Sequence, residues 1–587
     1  MNNTYYTGPT VTISQEIDKM KYCQEDESFD DKVRRIAGSL SDDQEHKYEL
    51  QDILGNMRFL PAGRVQNAMG SRRITTAYNC FVSGTIEDSM SNIMARATEA
   101  AETMRRGGGI GYDFSKLRPK GDLIKSLDSK SSGPVSFMGI FDSICQTIAS
   151  SGHRRGAQMG VLRVDHPDIK EFLVAKRNSD KLTGFNISVG ITDEFMKALE
   201  ENEEYELMFD GVHRGRESAT EIWEMIMQST WDWAEPGVLF VDRIAEMNNL
   251  FYCEEIAATN PCGEQPLPPY GACLLGSFNL TKYLTKVHTG EPYTFNFTQF
   301  KCDIPQVVRA IDNVIDRTIY PLKPQSDEAK NKRRMGLGIT GLANAGEMLG
   351  HAYGSDSFLA WAEKVFACLR DNAYRASAKL AAEKGAFPMY REEYLKSNFV
   401  RSLPASVKKE IRAHGIRNSH LTSIAPTGTI SLVADNVSGG IEPVFSHYYD
   451  RTIQTFDGPI VERVEDYAYA QGIEGRTADS ITVQEHLAVL LLAQHYVDSA
   501  CSKTCNVGDD VTYEEFKQVY MDAWSGGAKG CTTFRAAGKR FGILNAPVEE
   551  KKKNKSETQN TGETSETQED AYMACFIDPQ TGQRECS

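Results

Sequence analysis

The chain has 587 residues, 40% of them apolar and 25% charged, enough for one large α/β domain with extensions or for two to four ordinary ones. Its net charge of −16 argues against non-specific binding to nucleic acid or to an anionic membrane, but not against a nucleotide held by a local cluster of donors. The first residues lack a basic n-region and an apolar h-region, no apolar run reaches bilayer length, and thirteen cysteines are present, so a cytoplasmic protein with reduced thiols is expected.

Residues 15–58 read as charged amphipathic helices, a helical N-terminal lead-in over 1–58 with little room for a further regulatory domain. The segment 59–64 reads as a turn, and 76–82, which carries Cys80, as a strand. Asp88 and Ser89 then offer a cap to a helix over 90–104. The glycine run 107–111 ends that helix with a backbone that can approach a ligand closely; without a following Gly-Lys-Ser/Thr it is no P-loop. A helix over 137–151 leads into a small-residue loop with Arg154 and Arg155, a pair suited to phosphate or to ordinary solvation. A strand (158–164), a helix (168–176), a polar loop (177–184) that includes Lys181, and a strand (185–192) complete an α/β alternation that runs to about residue 545. The segment 333–343 reads as a buried structural piece. From Pro547 apolar residues all but vanish, predicting a disordered linker over 546–570 that delivers Cys575 and Cys586 in a tail, 571–587. A flexible stretch of about 25 residues reaches roughly 25–30 Å, enough to visit a cleft in the main body.

Against this background Asn260-Pro261-Cys262-Gly263-Glu264 places an amide, a thiol and a carboxylate at alternate positions. Pro261 and Gly263 exclude a helix interior, and in an extended loop the three groups would project to one side. The plain alternative is a surface turn with an incidental cysteine. Cys273 follows eleven residues after Cys262. Farther on, Pro426-Thr427-Gly428-Thr429-Ile430-Ser431 reads as a turn opening a helix, where free N–H groups and hydroxyls suit a phosphate or simply cap the helix.

Together, Asn-Pro-Cys-Gly-Glu-Gln-Pro-Leu from Asn260, Cys-Leu-Leu-Gly-Ser-Phe-Asn-Leu from Cys273, Arg417-Asn418-Ser419-His420-Leu421-Thr422 running into Ala-Pro-Thr-Gly-Thr-Ile-Ser, and Gly440-Ile441-Glu442-Pro443-Val444-Phe445 resemble the catalytic subunit of ribonucleotide reductase, specifically the class II, adenosylcobalamin-dependent enzymes. The resemblance implies a ten-stranded α/β barrel over 59–545 with a central finger loop tipped by Cys262. It implies that Cys262 carries a thiyl radical, that Glu264 takes the 3′-hydroxyl proton, and that Asn260 hydrogen-bonds the substrate hydroxyls. Cys80 and Cys273 match the reducing pair. Cys575 and Cys586 match the mobile shuttle pair, although they stand eleven residues apart where the family's pair is commonly closer. A zinc half-site is the competing reading of those two, weakened by the lack of nearby histidine.

Thr427, Gly428, Thr429 and Ser431 match the substrate phosphate cradle. Asp88, Ser89, Arg154, Arg155 and the loop around Lys181 match the site for a dNTP or ATP effector. The resemblance further implies a homodimer packed through the helices near 89–104 and 137–150, a ribonucleotide substrate (read as a diphosphate, although the Pro-Thr-Gly-Thr turn could cradle a triphosphate as well), and a thioredoxin- or glutaredoxin-like reductant. No resident metal ion is expected. The segment 528–535 lacks the adjacent tyrosines through which class I subunits receive a radical. A class I-type large subunit needing a metal-radical partner and a catalytically silent nucleotide-binding regulator are the alternatives; the retained cysteines and Glu264 argue against silence. Cys501 and Cys505 read as packed thiols.

Overall fold

The computed structural model describes residues 6–150, 154–155, 157–177, 181–286, 291–455, 458–508, 510–535, 538, 575–577 and 584–586, with backbone alone at 149–150, 154–155, 451–455, 458–462 and the two tail segments. Three helices, Thr12–Lys21, Phe29–Leu40 and Gln44–Gly55, open the chain, the second and third capped by the side chains of Ser28 and Asp43. At the second, Ser28 and Asp31 form a reciprocal capping box that satisfies two backbone donors. Phe59–Pro61 is a strand rather than the expected turn. It pairs antiparallel with residues 276–278, where the fold supplies a partner that local sequence cannot announce.

The largest sheet has eight strands, in the spatial order Ala272–Cys273, Cys80–Val82, Gly109–Asp113, Gln158–Arg163, Phe185–Ile191, Gly237–Phe240, Gly530–Arg535 and Thr504–Val507. Its central neighbours run parallel, and their near-continuous burial is what a sheet covered on both faces requires. A second sheet of three strands sets Leu275–Asn279 between Phe59–Pro61 and Gly336–Thr340. The latter strand occupies the segment read as a buried structural piece. Gly338 is needed there, because a Cβ would stand 2.4 Å from the carbonyl oxygen of Ser423. Among the described residues the hydrogen-bonded strands form these open sheets and not a closed barrel of ten. Isolated bridges join Leu337 to Thr422 and Ile424 to Cys501.

Helices cover the sheets. Met90–Arg105 packs on Pro134–Thr147, and Phe297–Arg317 packs on the 29-residue helix Asp356–Lys384. The helix expected over 137–151 thus begins earlier, at Pro134, and stops at Thr147. Among the described residues no helix is long and apolar enough to cross a membrane. The predicted linker over 546–570 lies outside the described residues.

Candidate active site

Asn260–Gln265 is the loop of a β-hairpin whose short strands, Ala258–Thr259 and Pro266–Leu267, pair antiparallel. It is not the extended run expected from the sequence. Gly263 N–H donates to the Asn260 carbonyl at 3.0 Å, with Gly263 at φ 82°, so the chain turns at its tip. The Asn260 side-chain oxygen accepts from Gln265 N–H at 2.9 Å and locks the turn from within. Asn260, Cys262 and Glu264 are gathered by this turn rather than by strand alternation, and all three are buried.

The hairpin can descend to the sheet because the glycine run removes side chains beneath it. A Cβ on Gly111 would lie 1.9 Å from the Thr259 carbonyl oxygen, and one on Gly109 would lie 3.3 Å from Pro261 Cγ and 3.1 Å from Cys80 Sγ. The glycines therefore make room for the hairpin itself. From Phe185–Ile191, two strands along the sheet, Asn186 Nδ2 donates to the Pro261 carbonyl at 3.1 Å, tying the tip down next to Cys262. On the other side Ala500 N–H and Ser423 Oγ both donate to the Glu264 carbonyl at 2.9 Å.

Cys80 and Cys273 are direct cross-strand partners in the antiparallel pairing of Cys80–Val82 with Ala272–Cys273. Such partners have Cα atoms about 4.5–5.5 Å apart, inside the range a disulfide needs. Both are free thiols, whereas Cys262 is closed in a disulfide. Burial pushes the Cys80 thiol up to about 12, the Glu264 carboxylate adds to the rise, and Arg64 and the Asn260 side chain work against it. Cys273 is raised well above the ordinary thiol range by burial, then by Cys80 and Glu264. Both sulfurs thus stay protonated and lie within the field of one carboxylate. Cys501, read as a packed thiol, also lies within the field of Glu264 and beside Lys529; burial is the main cause of its raised pKa. Lys529 donates to the carbonyls of Asp498 and Ser499 at 2.5 and 2.6 Å, and burial draws it down to about 8. Cys505 instead contacts Cys531 in the sheet.

Several buried polar atoms around the hairpin have no hydrogen-bond partner: both amide atoms of Gln265, Asn260 Nδ2 and Thr259 Oγ1. A folded chain rarely leaves such atoms unsatisfied, and a polar ligand over the hairpin would satisfy them. Gln265 was not singled out in the sequence, although it belongs to the same motif.

The Pro-Thr-Gly-Thr turn opens the helix Gly428–Val433, with Thr427 in the left-handed region at φ 59°. The Thr427 hydroxyl pairs with Thr340 Oγ1 at 2.9 Å and accepts from Gly440 N–H at 2.7 Å, so it braces the turn. Ser431 Oγ donates back to the carbonyls of Thr427 and Gly428 at 2.8 and 3.1 Å. What the turn presents to a ligand is the helix's first N–H groups, which lack intrahelical acceptors in any helix. Thr340 is the supporting residue that sequence reading missed.

Of the effector candidates, Ser89 is the N-cap of Met90–Arg105 and accepts from Asn92 N–H. Asp88 is bonded to Arg118 Nε at 2.6 Å. Lys181 is exposed. Arg154 and Arg155 lie on a strand paired with Ala149–Ser150, and their side chains lie outside the described residues. The helix Pro134–Thr147 grips the end of the 177–184 loop: Asp142 accepts from Gly184 N–H, and Gln146 donates to Thr183 Oγ1, both at 2.8 Å. In the tail Cys575 pairs in register with Cys586 across two antiparallel strands, and the strand Arg584–Cys586 lies against the helix Gly428–Val433. The cysteine side chains themselves lie outside the described residues. Among the described residues no cluster of three His, Cys, Asp or Glu is placed to hold a metal ion.

The hairpin tip thus sets Cys262 over a sheet that carries two further cysteines, beside a buried carboxylate. Residues 78–534 match the family model described as the ribonucleotide reductase barrel domain. The chain is 35% identical over 525 residues to a vitamin B12-dependent ribonucleoside-diphosphate reductase of Mycobacterium tuberculosis (strain CDC 1551 / Oshkosh), covering 84% of this chain and 72% of the relative. Against the protein of the same name from Thermoplasma acidophilum the identity is 33% over 535 residues, covering 86% and 67%. A vitamin B12-dependent ribonucleotide reductase of Streptomyces clavuligerus is 27% identical over 561 residues, covering 80% and 58%. The chain belongs to the ribonucleotide reductase family, whose members are oxidoreductases.

Proposed function

We propose that the chain reduces ribonucleoside diphosphates to 2′-deoxyribonucleotides by thiyl-radical chemistry with adenosylcobalamin as radical generator. The observation that carries this reading is the register of Cys80 opposite Cys273, with Glu264 bearing on both, beneath the hairpin that holds Cys262. Once the Cys262 disulfide is reduced, its sulfur radical takes the substrate's 3′-hydrogen. Glu264 accepts the 3′-hydroxyl proton, and Asn260 holds the hydroxyls with the amide nitrogen that has no protein partner. The 2′-hydroxyl leaves as water on receiving a proton from one thiol of the reducing pair, both of which are protonated at neutral pH. A hydrogen atom from the pair passes to the 2′-carbon, the two sulfurs close to a disulfide and give the second electron to the substrate, Glu264 returns the proton to the 3′-oxygen, and Cys262 returns its hydrogen to the 3′-carbon.

The unsatisfied atoms of Thr259, Asn260 and Gln265 fit a large polar group seated over the hairpin, and these residues would face the cofactor and the substrate. Adenosylcobalamin, when bound, supplies the carbon radical that makes the sulfur radical at Cys262. The relatives named as vitamin B12-dependent support this choice over a partner-dependent class I subunit. The two isolated bridges support closure of the strands into a barrel of ten. Those bridges link the strand Gly336–Thr340 through residues 422–424 to residue 501, three residues before the edge strand Thr504–Val507 of the larger sheet.

The helix Gly428–Val433 takes the substrate phosphates. Asp88, Ser89, Arg154, Arg155 and the Lys181 loop take the dNTP effector. A homodimer through Met90–Arg105 is supported by the exposure of Met90 and Met94 on that helix. Cys575 and Cys586 re-reduce the inner pair and are in turn reduced by a thioredoxin- or glutaredoxin-like protein. The test is purified protein with adenosylcobalamin, a small dithiol, an effector and a labelled ribonucleotide. Deoxynucleotide should form without another protein; turnover only on adding a radical-generating subunit would refute the cobalamin assignment.

A further inference from the structure

We propose that the N-terminal segment, residues 10–21, is a positioning element for the phosphate-binding helix and acts through Asp435; this rests on the reading above that the Thr427–Ser431 turn holds substrate phosphate. The helix Gly428–Val433 is six residues long, too short to persist without tertiary support. Left-handed residues other than glycine stand at both ends: Thr427 at φ 59°, then Asp435 at 60° and Asn436 at 56°. Such residues are held in place only by surrounding contacts, at a cost of order 1 kcal/mol each.

At the N-terminal end those contacts are Thr340 and Gly440. At the C-terminal end they come from the start of the chain. The Asp435 carboxylate accepts from Thr10 N–H at 2.7 Å, Thr10 Oγ1 at 2.9 Å and Val11 N–H at 3.0 Å. Ser14 Oγ donates to the Leu432 carbonyl at 2.7 Å, in the last turn, where that oxygen also accepts from Asn436 N–H at 3.2 Å. Ile13 and Ile17 share one apolar cluster with Ile430, Leu432, Val433 and Val437. Polar and apolar contacts therefore converge on one short helix from a segment more than 400 residues away in sequence. A shift of that helix would move the N–H groups offered to phosphate, whereas the hairpin of Cys262 is held by separate bonds from Asn186, Ser423 and Ala500.

The experiment uses the full chain with Asp435→Asn, which keeps a residue tolerant of the left-handed region and removes the charge, and separately Thr10→Val with Ser14→Ala. For each, the KM for a nucleoside diphosphate, kcat at saturation, inhibition by inorganic pyrophosphate, effector affinity and melting temperature are measured. Loss of the charge-assisted bonds should raise KM and weaken pyrophosphate inhibition by about tenfold, with kcat within about twofold and effector affinity unchanged. A purely structural role would instead lower melting temperature, kcat and effector affinity together, and that pattern overturns the proposal. So does an unchanged KM and pyrophosphate constant. Gly428→Ala separates the two layers of the argument. If it weakens pyrophosphate inhibition while the N-terminal variants do not, the positioning role alone falls. If it too has no effect, the phosphate reading falls and takes this proposal with it.

Discussion

Cys80 stands opposite Cys273 across two antiparallel strands, and Cys575 stands opposite Cys586 in the same way. The backbone geometry that permits a disulfide is shared, and the surroundings are not. The inner pair belongs to the eight-stranded sheet, buried below the hairpin and raised by burial and by Glu264. The tail pair belongs to a separate two-stranded ribbon lying on the helix Gly428–Val433. A thiol held near 12 keeps its proton and starts thiol–disulfide exchange poorly, since the thiolate is the attacking form. On the proposed function, the inner pair spends electrons on a substrate and the tail pair replaces them. The ribbon also answers the wide spacing of Cys575 and Cys586: antiparallel pairing brings residues eleven apart face to face.

Cys262→Ser should abolish reduction with any reductant, a loss of more than about 10⁴-fold, as for removal of a covalent catalytic group. Residual turnover would move the radical elsewhere and dissolve the distinction between the pairs. Cys80→Ser or Cys273→Ser should stop multiple turnover with small dithiols and proteins alike, read as deoxynucleotide formed per site. Cys575→Ser should separate the reductants, sparing dithiol-driven turnover and cutting protein-driven turnover by about 10–100-fold, because a buried disulfide is inaccessible to a bulky partner. Equal rates with both would make the tail dispensable.

The hairpin was legible because proline and glycine around a cysteine and a glutamate leave few backbone options. Its turned geometry was not, since Gly263 can serve an extended strand or a tight turn equally. That Cys80 and Cys273 lie in register could not be read from spacing, because register is set by the whole sheet. Phe59–Pro61 passed for a turn because its proline and its neighbouring glycine are turn residues, and the partner strand is some 215 residues away in sequence. The phosphate turn was legible as a motif, but its braces, Thr340 at one end and Thr10 at the other, carry no local signal.

The smallest expected effect tests the burial on which the comparison rests. Cys80 has its proton held up to about 12 in the folded protein against an ordinary thiol value of 9.0. Between those values the native state keeps a proton that the unfolded chain has released, so native binding exceeds unfolded binding and stability falls as pH rises. The stabilisation is complete below pH 9 and declines above it, with a slope of at most about 1.4 kcal/mol per pH unit. Cys80→Ala removes that slope while leaving the other buried thiols and tyrosines common to both proteins. Urea unfolding under reducing conditions at pH 8 and pH 10.5 should therefore show the gap between wild type and variant shifting by about 2 kcal/mol in the variant's favour. A gap that does not move would mean that Cys80 titrates as an exposed thiol. The inner pair would then be as open to exchange as the tail, and the chemical reason for having two pairs would be lost.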